Sequence, residues 1–213
     1  MYVWRKENWD HLPEHAEMEV AAVRTRPNSE HFIGTIITKQ MPQKNLSVQS
    51  MQMVDGQQRL TTVVLALKTL ADTATGEFTN LRNRLMGFLT YQDSRGLVHL
   101  RIKHSRVDAE AIEQVMRATT HTAVPVEKHN INAAYHYFVG HFEQRDDERR
   151  DQFAEIMLQR MPASAKFLIN NDERAGDLRY DHLPWRTAHH CRTAEEPPLP
   201  RDGNAWPVRC VLV

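Results

Sequence analysis

The chain has 213 residues with 27 basic and 27 acidic side chains, a neutral balance that excludes the broad basic surface of a stand-alone nucleic-acid-binding protein. This length is sufficient for one domain with a hydrophobic core, and two cysteines, Cys191 and Cys210, are too few for a disulfide framework or a four-thiolate zinc site. The longest apolar run, residues 63–67, cannot span a membrane, and no signal peptide is evident, so we expect a cytoplasmic protein without a membrane partner.

The first part of the chain predicts a helix, two strands and a second helix. Residues 6–26 have helical spacing, and Pro13 should break or kink this helix unless it lies in a first turn. Residues 31–38 and 47–54 are β-branched or alternating, which indicates two neighbouring strands or a hairpin. From Gln57 onward the apolar residues follow a helical period and give one apolar face that can pack against the strands.

The second part is predominantly helical. Helical spacing predicts four further helices, at residues 78–89, 108–118, 131–142 and 148–161. Residues 97–102 alternate like a strand between the first two of these helices, and residues 166–169 indicate one last strand. The sequence therefore predicts an α+β fold, in which a small mixed sheet with packed helices is followed by a mainly helical half.

A polar box, Asp55-Gly56-Gln57-Gln58-Arg59, lies where the second predicted strand gives way to a helix. A helix N-terminus presents unpaired N–H groups and the positive end of the helix dipole, which favours a phosphate. Gly56 allows the backbone to approach a ligand, and Arg59 can bind phosphate oxygens in a fork. Gln57 or Gln58 can orient a water or contact a base edge, and Asp55 can hold phosphate-bound Mg²⁺. The spacing equally fits a capping box, in which Asp55 accepts an N–H and Gln58 bonds back to it.

The string Asp-Gly-Gln-Gln-Arg-Leu-Thr-Thr, residues 55–62, resembles the signature of the GmrSD restriction endonuclease N-terminal domain. The fold of that family is similar to ParB-like and sulfiredoxin-like nucleotide-binding domains. Tyr2-Val3-Trp4 resembles the second half of the family's opening Tyr-Gln-Arg-x-Tyr-x-Trp box, whose first half is missing here. Residues 32–36 resemble a Phe-hydrophobic-Gly-Ser-Ile segment that precedes the signature. The resemblance covers residues 2–72 by motif and extends to about residue 170 by layout.

The resemblance implies a domain that binds and hydrolyses GTP or ATP with Mg²⁺ and couples this to restriction of modified foreign DNA. Carried over residue by residue, the catalytic positions are Asp55, Gln57, Gln58 and Arg59, the nucleotide contacts are Gly56, Arg59, Thr61, Tyr2 and Trp4, and the Mg²⁺ ligand is Asp55. No His-Asn-His nuclease motif follows residue 170, so we expect a separate nuclease chain or a lost C-terminal nuclease domain to cut. The alternatives are a non-catalytic ParB-like module that binds nucleic acid or protein, and an inactive gene fragment.

The domain with the Asp-Gly-Gln-Gln-Arg box is expected to occupy residues 1–170, without the family's first residues, and an irregular tail to occupy residues 171–213. Five of the ten prolines and both cysteines follow residue 183, without helical or strand spacing. This pattern is typical of a disordered tail. A one-base shift of the codons restores a family-like segment, which favours a frameshift near residues 170–186.

Two further patterns carry weaker signals. The His-x-x-Glu-His string at residues 11–15 matches inverted zinc peptidases, but Pro13 lies inside it and no partner carboxylate is evident, so no zinc site is expected. Four basic side chains follow the strand predicted at 97–102 and can either touch DNA phosphates or form a solvated face, which is the favoured interpretation. They are Arg101, Lys103, His104 and Arg106.

Overall fold

The computed structural model describes residues 1–23, 25–26, 32–41, 49–74, 79–126, 129–161, 164–168 and 210–212. Its elements in chain order are α1 (Lys6–Trp9), α2 (His11–Ala22), β1 (Thr35–Gln40), β2 (Gln49–Asp55), α3 (Gln57–Thr73), α4 (Thr79–Leu89), β3 (Thr90–Gln92), β4 (Val98–Leu100), α5 (Ala109–Arg117), α6 (Asn130–Glu143), α7 (Asp147–Gln159), β5 (Ser164–Leu168) and β6 (Cys210–Leu212). One 3-10 turn, His121–Ala123, connects α5 to α6. The predicted α+β class is confirmed.

The larger sheet has four strands in the order β5-β1-β2-β6. Strands β1 and β2 are antiparallel, whereas β5 runs parallel to β1 and β6 runs parallel to β2. The sheet is therefore mixed, and the predicted strand pair is confirmed. Of the predicted tail the structure describes only β6; the remaining predictions for residues 171–213 lie outside the described residues.

A second, two-stranded sheet pairs β3 with β4. β4 was predicted from its alternation, but β3 was missed because it has three residues and follows α4 without a break. The turn between the two strands is held by Asp93, whose Oδ1 accepts the N–H groups of Arg95 and Leu97, each at 2.9 Å. These bonds, first among them that from Leu97, lower the pKa of Asp93 to about 2.

Helix α3 forms the centre of the helical half and packs against α4 and α6. From Val64 to Ala71 every side chain is buried, so the helix is enclosed on nearly all sides rather than on the single apolar face that its sequence predicts. Pro13 lies in the first turn of α2, where its missing N–H costs no helical hydrogen bond. None of the described helices combines the length and apolar character needed to cross a membrane.

A buried polar cluster ties α3 to its neighbours inside this core. The side chains of Lys68 and Asp72 are each 1% exposed and form an ion pair one turn apart on α3. Lys68 Nζ also donates to the carbonyl oxygen of Ala118 at 2.9 Å, and the Tyr135 hydroxyl donates to Asp72 Oδ2 at 2.7 Å. Burial lowers the pKa of Lys68, and Asp72 partly offsets this effect. The cluster therefore joins α3, α6 and the end of α5.

Replacing Asp72 by asparagine should destabilise the fold strongly, because it leaves the buried Lys68 cation without its counter-charge. We expect a loss of about 3 kcal/mol in the free energy of unfolding, measured by urea denaturation. Asp151, an exposed partner of Arg84 on the surface, is the matched control, and Asp151→Asn should cost less than about 1 kcal/mol. Equal effects of the two substitutions would show that the buried pair does not stabilise α3.

Candidate functional site

A cleft of about 220 Å³ opens beside the first turns of α3. One wall comes from β2, the N-terminal segment and α3, and the other comes from the segment that follows β4. The lining residues are Tyr2, Gln52, Met53, Gln57, Gln58, Leu60, Thr61, Ile102, Lys103, His104, Ser105 and Asp108. The cleft therefore combines side chains from three separate parts of the chain.

Gly56 forms the junction between β2 and α3. It is the N-cap of α3 and has a φ of 91°, in the left-handed region that glycine adopts without strain. A Cβ at this position would lie 3.2 Å from the Ile36 Cα atom and 3.3 Å from the Thr35 carbonyl oxygen. Both the backbone conformation and the close approach to β1 therefore require glycine, and no side chain caps the helix.

The capping box that the spacing of Asp55 and Gln58 allows is not formed. The helix begins one residue later than that motif requires, with Gly56 as its N-cap. The Gln58 amide instead holds the N-terminal segment: its Oε1 accepts the N–H groups of Val3 at 2.9 Å and Trp4 at 3.3 Å. Gln58 therefore joins the Tyr-x-Trp segment to α3.

Tyr2 reinforces this attachment from inside the core. Its side chain is 2% exposed, and its hydroxyl lies 2.7 Å from Thr62 Oγ1. Because the Thr62 hydroxyl donates to the Gln58 carbonyl oxygen at 2.9 Å, Tyr2 must be the donor to Thr62. The Tyr2 N–H in turn donates to Asp108 Oδ1 at 3.0 Å. The N-terminal segment is thus bonded both to α3 and to the start of α5.

Asp108 is a buried carboxylate on the far side of the cleft. Burial alone would raise its pKa, but hydrogen bonds from the Tyr2 N–H and the Ser105 hydroxyl outweigh burial and lower it. His129 Nε2 lies 3.2 Å from its Oδ1. Since its oxygens are engaged by these neighbours, Asp108 holds the cleft walls together.

Thr61 connects α3 to His104 across the cleft. The Thr61 hydroxyl donates to the Gln57 carbonyl oxygen at 2.7 Å, so it accepts from His104 Nε2, which lies 2.8 Å away. This arrangement assigns the proton to Nε2 and leaves Nδ1, which is buried, without a hydrogen-bond partner among the described residues. Burial lowers the pKa of His104, and the ring is therefore neutral near pH 7.

Arg59 lies on the opposite side of the first turn of α3 and does not line the cleft. Its Nη1 donates to the Thr35 carbonyl oxygen at 2.5 Å. A Cβ on Gly34, whose φ is 106°, would lie 3.0 Å from Arg59 Nε, so a side chain at this position would displace the guanidinium. Arg59 has no other acceptor in the described part of the chain, and no donor or cation there pairs with the Asp55 carboxylate at the end of β2.

The structure divides the predicted site residues into two groups. Tyr2, Gln57, Gln58 and Thr61 meet at the cleft, whereas Gly56 and Arg59 face β1. Trp4 is half-buried and bonded to Gln58 through its backbone.

Sequence reasoning missed the parts that Gly34, His104 and Asp108 play at this site. A glycine after the apolar Phe32-Ile33 pair was the one available signal for Gly34, and it pointed to a close backbone approach. No local pattern identified the contacts of His104 and Asp108.

The paired glutamines provide a direct test of the Gln58 attachment. Gln58→Met keeps the side-chain size but removes the hydrogen bonds to the N-terminal segment, and we expect it to lower the free energy of unfolding by about 1–3 kcal/mol. Gln57 is exposed and makes one long bond, 3.4 Å to the Met53 carbonyl oxygen, so Gln57→Met should cost less than about 0.5 kcal/mol. Thermal and urea unfolding measure both, and equal losses would contradict the attachment.

Comparison with known protein families identifies the family of this chain. The chain matches the family model of the GmrSD restriction endonuclease, N-terminal domain, over residues 1–181. A search of curated proteins gave no match. The matched region includes the N-terminal segment, the larger part of the described sheet, all of the described helices and the cleft. The chain therefore belongs to the GmrSD restriction endonuclease N-terminal domain family.

Proposed function

We propose that this chain is the nucleotide-binding and nucleotide-hydrolysing component of a modification-dependent, type IV-like DNA restriction system. The observation that carries the proposal is the first turn of α3, where Gln57 and Gln58 line the cleft on one side and Arg59 lies on the other. Family membership supports a role in restriction. The geometry supports a triphosphate as the ligand at this helix terminus.

The phosphate groups would bind at the first turn of α3. The first N–H groups of a helix have no acceptor within it, and no side chain of the described residues caps them here. One N–H of Arg59 donates to the Thr35 carbonyl oxygen, and the other N–H groups of its guanidinium have no acceptor among the described residues. The Arg59 guanidinium is planar and permanently charged. Together with the backbone N–H groups at the start of α3, it is suited to bind phosphate oxygens. Gly34 and Gly56 allow Arg59 and the start of α3 to lie close against β1, since neither carries a side chain.

The Asp55 carboxylate fits a magnesium ligand. It adjoins the N-cap of α3 and has no hydrogen-bond or ion-pair partner within the described chain. Magnesium is commonly held by one or two carboxylates together with substrate phosphates, so one acidic residue is sufficient here. When bound, the ion would neutralise part of the phosphate charge.

The remainder of the nucleotide would extend into the cleft. Leu60 and Ile102 provide apolar surface, and Gln57 and Lys103 are exposed polar groups at the rim. Gln57 is the residue best placed to orient an attacking water, because Gln58 is engaged by the N-terminal segment. The two glutamines of the box thus have different roles: Gln57 acts on the ligand, and Gln58 positions the cleft wall.

Nucleotide turnover would be coupled to restriction of modified foreign DNA, in defence against phage. A His-Asn-His-type nuclease, in a separate chain or in another domain, would cut the DNA. The structural use of Gln58 favours a second candidate, in which the box only maintains the fold of a non-catalytic binding module. Nucleotide hydrolysis separates the two functions.

Replacing Arg59 by lysine tests the phosphate site, because lysine keeps the charge but loses the planar fork. We expect the affinity for GTP or ATP with Mg²⁺ to fall about tenfold to a hundredfold, which corresponds to one charge-assisted hydrogen bond of about 1.5–3 kcal/mol. Titration calorimetry measures binding, and circular dichroism and thermal melting confirm that the variant is folded. Arg95→Lys, in the exposed turn between β3 and β4, is the matched control and should bind like wild type.

Phosphate release by the same proteins tests turnover. Gln57→Ala should lower kcat by about a hundredfold while leaving nucleotide affinity within a few-fold of wild type, because it removes a group that acts on water. A folded wild-type chain that binds neither GTP nor ATP would contradict the proposal. Binding without phosphate release in wild type would favour the non-catalytic module.

A further inference from the structure

A locally basic segment follows the first strand of the small sheet, in a chain whose net charge is zero. Residues 94–107 contain four arginine or lysine residues but no acidic residue. Three apolar side chains in the same segment, Leu97, Val98 and Val107, expose more than half of their surface. A surface that is both basic and apolar differs from an ordinary solvated face, and it suits an anionic ligand that also carries flat apolar groups.

The small sheet holds this segment in a defined shape. The Asp93 carboxylate closes the turn, and His99 Nε2 lies 3.1 Å from Asp93 Oδ2. The rings of Tyr91 and His99 stack across the two strands at 5.3 Å. Arg101 donates to the Gly87 carbonyl oxygen at 3.2 Å, which fastens the end of β4 to α4. These hydrogen bonds therefore fix the conformation of the basic segment.

A groove of about 620 Å³ separates this segment from α5. Its apolar lining includes Leu100, Ile102 and Met116, and its polar lining includes Thr90 and Glu113. Apolar walls with polar groups at the edges are suited to a planar heterocycle, which presents an apolar face and hydrogen-bonding edges. The groove is about three times as large as the cleft beside α3, whose volume is about 220 Å³.

The cations of this segment and of the facing helix α5 differ in whether they are paired. Arg117 forms an ion pair with Glu113, and Arg95 forms one with Asp93. Lys103 and Arg106 are exposed and have no hydrogen-bond or ion-pair partner in the described part of the chain. Lys103 also lines the groove. Two unpaired cations three residues apart in the chain, one of which lines a groove suited to a heterocycle, match the phosphates and a base of a nucleic acid strand.

We propose that the groove between β4 and α5 is a DNA-binding site, in which Lys103 and Arg106 contact the phosphates of one strand and the groove holds an unpaired base. The choice of DNA rests in part on the proposed restriction function, whereas the site itself rests on charge and shape. His104 lines both this groove and the cleft beside α3 and bonds to Thr61. It is thus a positioning residue through which a base in the groove can affect the start of α3.

The phosphate contacts are tested with a fluorescent single-stranded DNA of mixed sequence and the full chain, by fluorescence anisotropy over a range of salt concentrations. The double variant Lys103→Gln, Arg106→Gln should weaken binding at low salt at least tenfold and reduce the salt slope by about 1.4, or about 0.7 per phosphate contact. The control is Lys6→Gln, Arg84→Gln, which removes the same charge from exposed positions on α1 and α4. Equal losses in the two double variants would overturn the site, as would failure of wild type to bind.

The groove is tested separately by filling it without changing charge. Ala109 lines the groove but not the cleft, so Ala109→Trp should weaken DNA binding at least tenfold and leave GTP and ATP binding unchanged. Ala123→Trp, on the exposed 3-10 turn, is the control for added bulk. DNA binding that both tryptophan variants retain would overturn the base-binding groove. Self-association of wild type that Ala109→Trp abolishes, without an effect on DNA, would assign the groove to a protein interface instead.

Nucleotide titrations of the same proteins keep the two proposals apart. A wild-type chain that binds DNA through Lys103 and the groove but binds no nucleotide would support the DNA site and contradict the proposed nucleotide site. A chain that binds nucleotide but shows no difference in DNA binding between the groove variants and their controls would support the nucleotide site and contradict the DNA site. His104→Asn should reduce the change in phosphate release that saturating DNA causes, a readout that does not depend on DNA affinity. An unchanged effect of DNA in this variant would contradict the positioning role of His104.

Discussion

The arrangement of the whole site depends on one backbone constraint, the left-handed conformation of Gly56. This residue turns the chain from the end of β2, an inner strand of the mixed sheet, into α3 while its Cα lies close against β1. The turn sends the C-terminal part of α3 into the core and leaves its N-terminus at the cleft. A Cβ at this position would lie 3.2 Å from the Ile36 Cα atom and 3.3 Å from the Thr35 carbonyl oxygen, so the packing of this turn against β1 would have to shift.

A second consequence of this turn is that consecutive residues of the polar box face different surroundings. Gln57 is exposed at the cleft, Gln58 binds the N-terminal segment, and Arg59 lies against β1. Such a division follows from the helical period of about 3.6 residues, which points three successive side chains in three directions. The box therefore combines structural and ligand-directed roles. Beyond the box, Thr61 bonds to His104, which also lines the groove beside α5.

The regular elements were predictable wherever the chain carries a clear period. The helices α3 to α7 and the pair β1 and β2 have such a period, and the polar box marks the position of the cleft. The short strand β3 was not predictable, because a three-residue strand has too little alternation to detect. The contacts of Tyr2 with Asp108 and of Thr61 with His104 join distant parts of the chain, so local patterns could not reveal them. The capping box failed for a different reason: a glycine with positive φ moved the start of the helix by one residue.

The most direct measurement is the structure of this chain in complex with a non-hydrolysable nucleoside triphosphate and Mg²⁺. The account predicts phosphate oxygens within hydrogen-bonding distance of the first backbone N–H groups of α3 and of the Arg59 guanidinium. It also predicts that the Asp55 carboxylate binds the Mg²⁺ ion. Phosphates bound elsewhere, with the first turn of α3 and Arg59 unchanged, would contradict it.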